Sequence, residues 1–125
     1  MYNRRTPANK MSASSQISDM YKASLGWLNN RAWPGVHAGT WCALNNTGQW
    51  LQIDLGYLHV VTGVATQGRN STLEQMWVKT YQLSFSKNGK TWEVYKENNI
   101  TQVSFASYLF FRLTSAFQVG KNALF

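Results

Sequence analysis

Apolar and polar residues alternate most cleanly over Trp50–Leu55, where Leu51, Ile53 and Leu55 are separated by Gln52 and Asp54. Successive side chains of a strand point to opposite faces, so this pattern predicts a strand with one buried face, ended by Gly56. His59–Gln67 is rich in β-branched residues and is expected to form the next strand. Gly68–Gln75 is polar and reads as a loop. Val78–Ser86 is expected to be a third strand, with Tyr81, Leu83 and Phe85 on one face and Gln82, Ser84 and Ser86 on the other. Asn88-Gly89 then separates it from Thr91–Lys96. Asn-Gly between strand-like segments predicts a tight hairpin in which both turn residues take positive φ. Upstream, Met11–Ser15 is expected to be a short edge strand. Gln16–Asn30 has no clean period and reads as a long loop that returns Trp27 and Leu28 to the core. Trp33-Pro34-Gly35 is a turn signal, and the loop continues to Gly48. Residues 1–10 read as a polar tail.

Strands joined by turns and loops, with no helical segment between them, predict an all-β antiparallel sandwich. Its expected core is Trp27, Trp50, Leu51, Ile53, Leu55, Tyr81, Leu83, Phe85 and Trp92. Beyond Glu97 the pattern changes. Ser104–Leu113 is compatible with one apolar strand, and Gln118–Phe125 has no distinctive pattern.

At 125 residues the chain suits one domain. Six each of Trp, Tyr and Phe supply material for a core and argue against disorder. The formal charge of +7 favours anionic partners, but the basic residues are scattered, and the densest group, Arg4, Arg5 and Lys10, belongs to the tail. A solvated surface is a simpler explanation of the charge than a dedicated anion site. No stretch is long and apolar enough to span a membrane, and no signal peptide is visible, so a secretion signal would lie outside this chain. Asn45-Asn46-Thr47, Asn70-Ser71-Thr72 and Asn99-Ile100-Thr101 are acceptor sequences for N-glycosylation, which makes Asn45, Asn70 and Asn99 candidate sites and tilts the reading toward an extracellular protein.

Catalytic chemistry is hard to assemble. The carboxylates are Asp19, Asp54, Glu74, Glu93 and Glu97, and the imidazoles are His37 and His59. Asp54 lies between apolar neighbours on a strand, where a structural hydrogen bond is the simpler role. No zinc spacing, phosphate loop or nucleophile elbow is present. No enzyme, metal or cofactor is expected. Nucleic acid is not expected either, because basic and aromatic residues do not interleave on a strand; Val78–Ser86 offers only Lys79.

Met11-Ser-Ala-Ser-Ser-Gln16, Leu28-Asn-Asn30 with Trp33, Gln49-Trp-Leu-Gln-Ile-Asp-Leu-Gly56, Val61-Thr62, Ala65-Thr-Gln-Gly68, Val78-Lys-Thr-Tyr81, and Phe85-Ser86 with Asn88-Gly89 and Trp92 occur in one order. Together they resemble the discoidin, or coagulation factor 5/8 type C, domain family from Met11 to about Glu97. The resemblance implies a jelly-roll-like sandwich similar to galactose-binding domains, with ligand-contacting loops, or spikes, at one end. Family members usually carry a cysteine at each end, joined to each other, and neither is present here. The family's last strands are not evident in 98–125, so a partial domain, 11–97, followed by a divergent segment is expected. Cys42 resembles an extra cysteine of discoidin domain receptors, whose partner would fall in the missing region; a free thiol is expected.

By resemblance the spikes are Gln16–Tyr21, about Asn30–Val36, and Arg69–Met76. In membrane-binding relatives, apolar spike residues enter the bilayer beside cations, a role open here to Ile17, Met20, Tyr21 and Leu73 with Lys22 and Arg69. In lectin-like relatives an aromatic face stacks on sugar, a role open to Trp33 with His37, Asp19 and Arg69. The bland alternative for Met20 and Tyr21 is packing beneath their own loop. Thr66-Gln-Gly-Arg69 resembles collagen-binding receptors, but Ile17 stands where they carry an aromatic. The expected function is a non-catalytic extracellular adhesion or recognition module. Its partner would be a cell-surface or matrix glycan, an anionic phospholipid reached by peripheral membrane contact, or a protein. The alternatives are an accessory carbohydrate-binding domain of a larger enzyme, or a truncated product without function.

Overall fold

The computed structural model describes residues 10–61, 64, 66–69, 75–101, 103–105 and 120–124. The alternating segment forms β2 (Leu51–His59), longer than its pattern predicts. The edge strand β1 (Met11–Ala13) pairs with it antiparallel, Met11 facing Ile53 and Ala13 facing Leu51. Asp54 has the structural role its position suggested. Its Oδ1 accepts the Gly56 N–H at 2.7 Å and its Oδ2 meets Lys10 Nζ at 3.3 Å. Both ion-pair side chains are well exposed, so the pair adds little stability.

The expected strand Val78–Ser86 is in fact two, β3 (Thr80–Gln82) and β4 (Ser84–Ser86), which belong to different sheets. The chain changes sheet at Leu83. It does so again at Tyr95, between β5 (Glu93–Val94) and β6 (Lys96–Glu97). The two crossings touch, because the Tyr95 N–H donates to the Leu83 carbonyl at 2.8 Å. Alternation cannot reveal such a corner, because the side-chain period continues through it.

With β9 (Gly120–Leu124), the main sheet has the order β1-β2-β9-β4-β5 and is antiparallel throughout. Its edges are short strands, which offer little ladder for unwanted pairing. Its middle strand, β9, comes from the segment with no distinctive pattern. Residue 123 faces both Ile53 of β2 and Phe85 of β4. Two further strands, β7 (Ile100–Thr101) and β8 (Val103–Phe105), pair with β6 and β3. Among the described residues after Glu97 there are therefore three strands where one was expected. Ladder hydrogen bonds are made by the backbone, so a segment with no apolar alternation can still fill a gap between two strands.

Two other expectations are corrected. Among the described residues of His59–Gln67, only His59 is in a strand; the β-branched residues instead supply Val64 to a small core with Leu83, flanked by Val61 and Tyr95. The tight turn is not at Asn88-Gly89, where only Gly89 has positive φ. That loop is wider, and side chains hold it. Ser86 Oγ accepts the Asn88 and Gly89 N–H groups, and Asn88 Oδ1 accepts those of Lys90 and Thr91. Two successive positive-φ residues occur at Asn98 and Asn99, between β6 and β7, as a type I′ hairpin requires.

Of the expected core, Leu83 is buried, whereas Trp27, Trp50, Leu51, Ile53, Leu55, Tyr81, Phe85 and Trp92 are half-buried. Among the described residues the buried positions are mostly small: Ala23, Ala38, Ser84 and Ser86 join Met11, Val64 and Leu83.

The long excursion from β1 to β2 contains two 3-10 turns, Asp19–Tyr21 and Ala23–Leu25, that aperiodicity had concealed. It also contains two glycines with similar backbone angles and opposite surroundings. Gly35 has φ 76° with open space around it. Gly39 has φ 69°, and a Cβ there would overlap the backbone of Arg31 and Ala32. Left-handed backbone alone costs a side-chain-bearing residue about 1–2 kcal/mol. Gly35→Ala is therefore expected to lose about 1 kcal/mol in urea unfolding, and Gly39→Ala on the order of 3 kcal/mol or more. Equal losses would show that backbone conformation, not crowding, governs both positions.

Candidate functional site

The loops leaving β1 gather at one pole of the main sheet, because β1 ends where β2 begins. Side chains and loop backbone hold them there. Ser14 Oγ accepts the Trp50 N–H at 3.0 Å, Ser15 Oγ contacts Gln49 Oε1, and Trp41 Nε1 donates to the Ser15 carbonyl at 2.9 Å. The first spike is joined through backbone to the chain that leaves the second: Ala38 N–H donates to the Met20 carbonyl at 2.9 Å, and Cys42 N–H to the Tyr21 carbonyl at 3.2 Å.

Within this frame, Ile17 and Met20 are 50% and 40% exposed on the first spike, and Trp33 and Val36 are 65% and 57% exposed on the second. The second spike is a tight loop. Trp33 pairs with His37, Val36 N–H donates to the Trp33 carbonyl at 2.9 Å, and Pro34-Gly35 occupy the corner as in a type II turn. Trp33 and His37 rings meet edge to face, centroids 6.5 Å apart. His37 is half-buried and its Nδ1 is enclosed without a hydrogen-bond partner, so the ring braces Trp33 more than it faces solvent. Asp19 is exposed and accepts from Gln16 Nε2 at 3.2 Å.

Tyr21 is half-buried and lies under Arg69, whose guanidinium carbon is 5.6 Å from the ring centroid, a cation–π distance. Arg69 is fixed from its own side by a bridge to Met76, its N–H donating to the Met76 carbonyl at 2.7 Å. Beside this stack lies an open cleft of about 440 Å³ lined by Ile17, Tyr21, Gln75 and Met76. Thus Ile17, Tyr21 and Arg69 come together, Met20 lies beside them, and Trp33 and His37 form a neighbouring tip. Leu73 and Asn70 lie outside the described residues. Asn45 and Asn99 are exposed.

The pattern had not assigned roles to Val36, Trp41, Gln75 or Met76. Val36 was readable as the apolar residue after a Pro-Gly corner. Trp41, Gln75 and Met76 carry no local signal, because their roles depend on which loops meet.

Cys42 is half-buried behind the first spike. Burial pushes its thiol above its ordinary value, and the Arg69 guanidinium works against that by favouring the thiolate. Among the described residues, no group of three His, Cys, Asp or Glu side chains is placed to hold a metal. No helix among them is long and apolar enough to cross a membrane.

The family model for the F5/8 type C domain matches residues 10–112, running past Glu97 into β7 and β8. The chain is 32% identical to lactadherin of Mus musculus over 108 residues, which is 81% of this chain and 22% of lactadherin. It is 37% identical to neuropilin-1 of Homo sapiens over 97 residues, 74% of this chain and 10% of neuropilin-1. It therefore spans less than a quarter of the length of each of these relatives. Among solved structures it is similar in fold to discoidin II of Dictyostelium discoideum, with a TM-score of 0.75 and 15% identity over 91% of this chain and 46% of that one.

The Cys42 environment gives a pH prediction. Alkylation by iodoacetamide should follow a titration with its midpoint above the ~8.5 of a free thiol. Arg69→Ala should move that midpoint higher still, since the cation that favours the thiolate is gone. A midpoint that falls in Arg69→Ala would contradict this arrangement of Cys42 and Arg69.

Proposed function

The chain belongs to the F5/8 type C, or discoidin, domain family, and from that premise we propose that it is a non-catalytic extracellular recognition module whose loop pole docks peripherally on anionic phospholipid. The observation that carries this reading is the exposure of Ile17, Met20, Trp33 and Val36 on two loops tied to each other. Apolar side chains held out on a braced loop are costly in water and gain when they enter a lipid interface. Lys22 and Arg31 are exposed on the same loops, where each cation near an anionic surface contributes about 1 kcal/mol.

A second reading, a glycan or other small polar ligand, is favoured by the cleft beside the Tyr21–Arg69 stack. The guanidinium over the Tyr21 ring offers donors to the hydroxyls of a sugar, and Ile17 and Met76 on the cleft wall offer an apolar surface beside it. The two readings share Ile17, which lines the cleft, and otherwise place the ligand on different residues. Lipid engages the exposed tips, and sugar engages the cleft wall.

Vesicles of about one part phosphatidylserine to four of phosphatidylcholine separate them. Ile17→Ala, Met20→Ala and Trp33→Ala should each weaken vesicle partition by roughly 1–2 kcal/mol, about tenfold, and binding should fall with added salt. Each variant should keep a cooperative melt, because each side chain is at least 40% exposed on a loop. Vesicle binding unchanged in all three variants would overturn the lipid reading. Retention on a glycan array that is lost in Arg69→Ala, without vesicle binding, would select the second.

A further inference from the structure

Leu44 is 63% exposed, and Asn45, Asn46, Thr47 and Gly48 after it are also exposed. This loop belongs to the same pole as the spikes. Leu44 N–H donates to Ser15 Oγ at 3.0 Å, and two residues earlier the Cys42 carbonyl accepts the Ile17 N–H at 3.0 Å. A short chain thus runs from the exposed Ile17 through Cys42 to Leu44 and Asn45. Leu44 adds an apolar residue to those on the spikes, and the residue after it begins an N-glycosylation acceptor sequence.

We propose that Asn45 is an N-glycan attachment site and that its glycan controls whether the loop pole can lie against a membrane. The proposal rests on the membrane reading above for its consequence, though not for the modification. The Asn45 side-chain nitrogen displaces the diphosphate from the anomeric carbon of a polyprenyl-diphosphate-linked oligosaccharide. A carbon–nitrogen bond forms, the carbon–oxygen bond to the diphosphate breaks, the amide loses one proton, and the polyprenyl diphosphate leaves. The acceptor stretch suits this chemistry: Asn45 and Thr47 are both exposed, outside any strand, and the loop is pinned only at its ends, by Leu44 to Ser15 and by Gln49 Nε2 to the Thr47 carbonyl at 3.0 Å. The Asn99 sequence differs. Asn99 is a left-handed turn residue, and Thr101 is held in the ladder opposite Lys96.

A glycan at Asn45 is bulky and strongly hydrated. Rooted next to Leu44, it would hold water between the pole and a bilayer and keep Ile17 and Leu44 out of the lipid interface. The unmodified chain would be the membrane-binding form, and the modified one the form free in solution.

The test is to express the full chain behind a secretion signal in eukaryotic cells and to compare it with Thr47→Ala, which removes the acceptor sequence and leaves Asn45 in place. Enzymatic release of N-glycans, read by mass spectrometry as conversion of Asn45 to Asp, reports occupancy. Partition onto phosphatidylserine–phosphatidylcholine vesicles reports the consequence. Occupancy at Asn45, with at least tenfold tighter vesicle binding by both Thr47→Ala and the enzymatically released chain, supports the proposal. Secreted chain without glycan at Asn45 overturns it, as does equal vesicle binding by the glycosylated and glycan-free forms. If Asn45 is occupied and no form binds vesicles, the membrane reading has failed and the gating role fails with it, while the modification stands.

Discussion

The contact on which the architecture turns is the one between Leu83 and Tyr95. At these two residues the chain leaves one sheet for another, and the Tyr95 N–H donates to the Leu83 carbonyl where the crossings meet. Leu83 and Val64 form the buried centre, with Val61 and Tyr95 against them. A backbone bond made beside an apolar cluster is shielded from competing water, and losing one partner there leaves a costly unsatisfied group. β3 and β4, and likewise β5 and β6, can lie in separate sheets because this junction fixes where each pair divides. The main sheet then needs only short edge strands, since its registers are set from within.

That economy leaves few large side chains fully enclosed. Ser86, the most buried of the described residues, serves the fold through hydrogen bonds, capping the loop that joins β4 to β5. The same principle governs the opposite pole. Between β1 and β2 the chain has little regular structure, and its backbone groups are met by Ser14, Ser15, Asn30, Gln67 and the Trp41 ring nitrogen. Loops held in this way present apolar tips without collapsing onto them. Ile17 and Trp33 stay exposed because their backbones are bonded elsewhere, to Cys42 and His37.

How much of this was legible depended on the kind of interaction. Residues 51–55 were readable because a half-buried strand writes its faces into the sequence. The break at Leu83 was not, since Tyr81, Leu83 and Phe85 keep the same period on both sides of the corner. β9 was invisible because its place follows from the strands it lies between rather than from its own composition. Asn88-Gly89 misled because Ser86 and Asn88 side chains supply the bonds that a tight turn would have made, while Asn98-Asn99, without a glycine, forms that tight turn. At the loop pole, Ile17, Met20 and Trp33 were reached through the ordered family motifs and not through periodicity. The cleft beside Tyr21 and the bracing by Trp41 and His37 required knowing which loops meet.

The charges at the pole divide into two kinds, and the division bears on what the pole can recognise. Lys22 and Arg31 are exposed on the loops, so their effect on an anionic surface is diffuse, screened by salt and indifferent to headgroup shape. Arg69 is half-buried, lies over the Tyr21 ring and is anchored through its own backbone to Met76. A guanidinium fixed in this way presents its donors in one direction at little further entropic cost. On the proposed reading, the exposed cations would draw the module toward negative charge in general, whereas Arg69 would distinguish among ligands. Because Arg69 stacks on Tyr21 of the cleft wall and the tips Met20, Trp33 and Val36 project from neighbouring loops, affinity and selectivity would, on that reading, fall largely on different residues of the same pole, with Ile17 common to both.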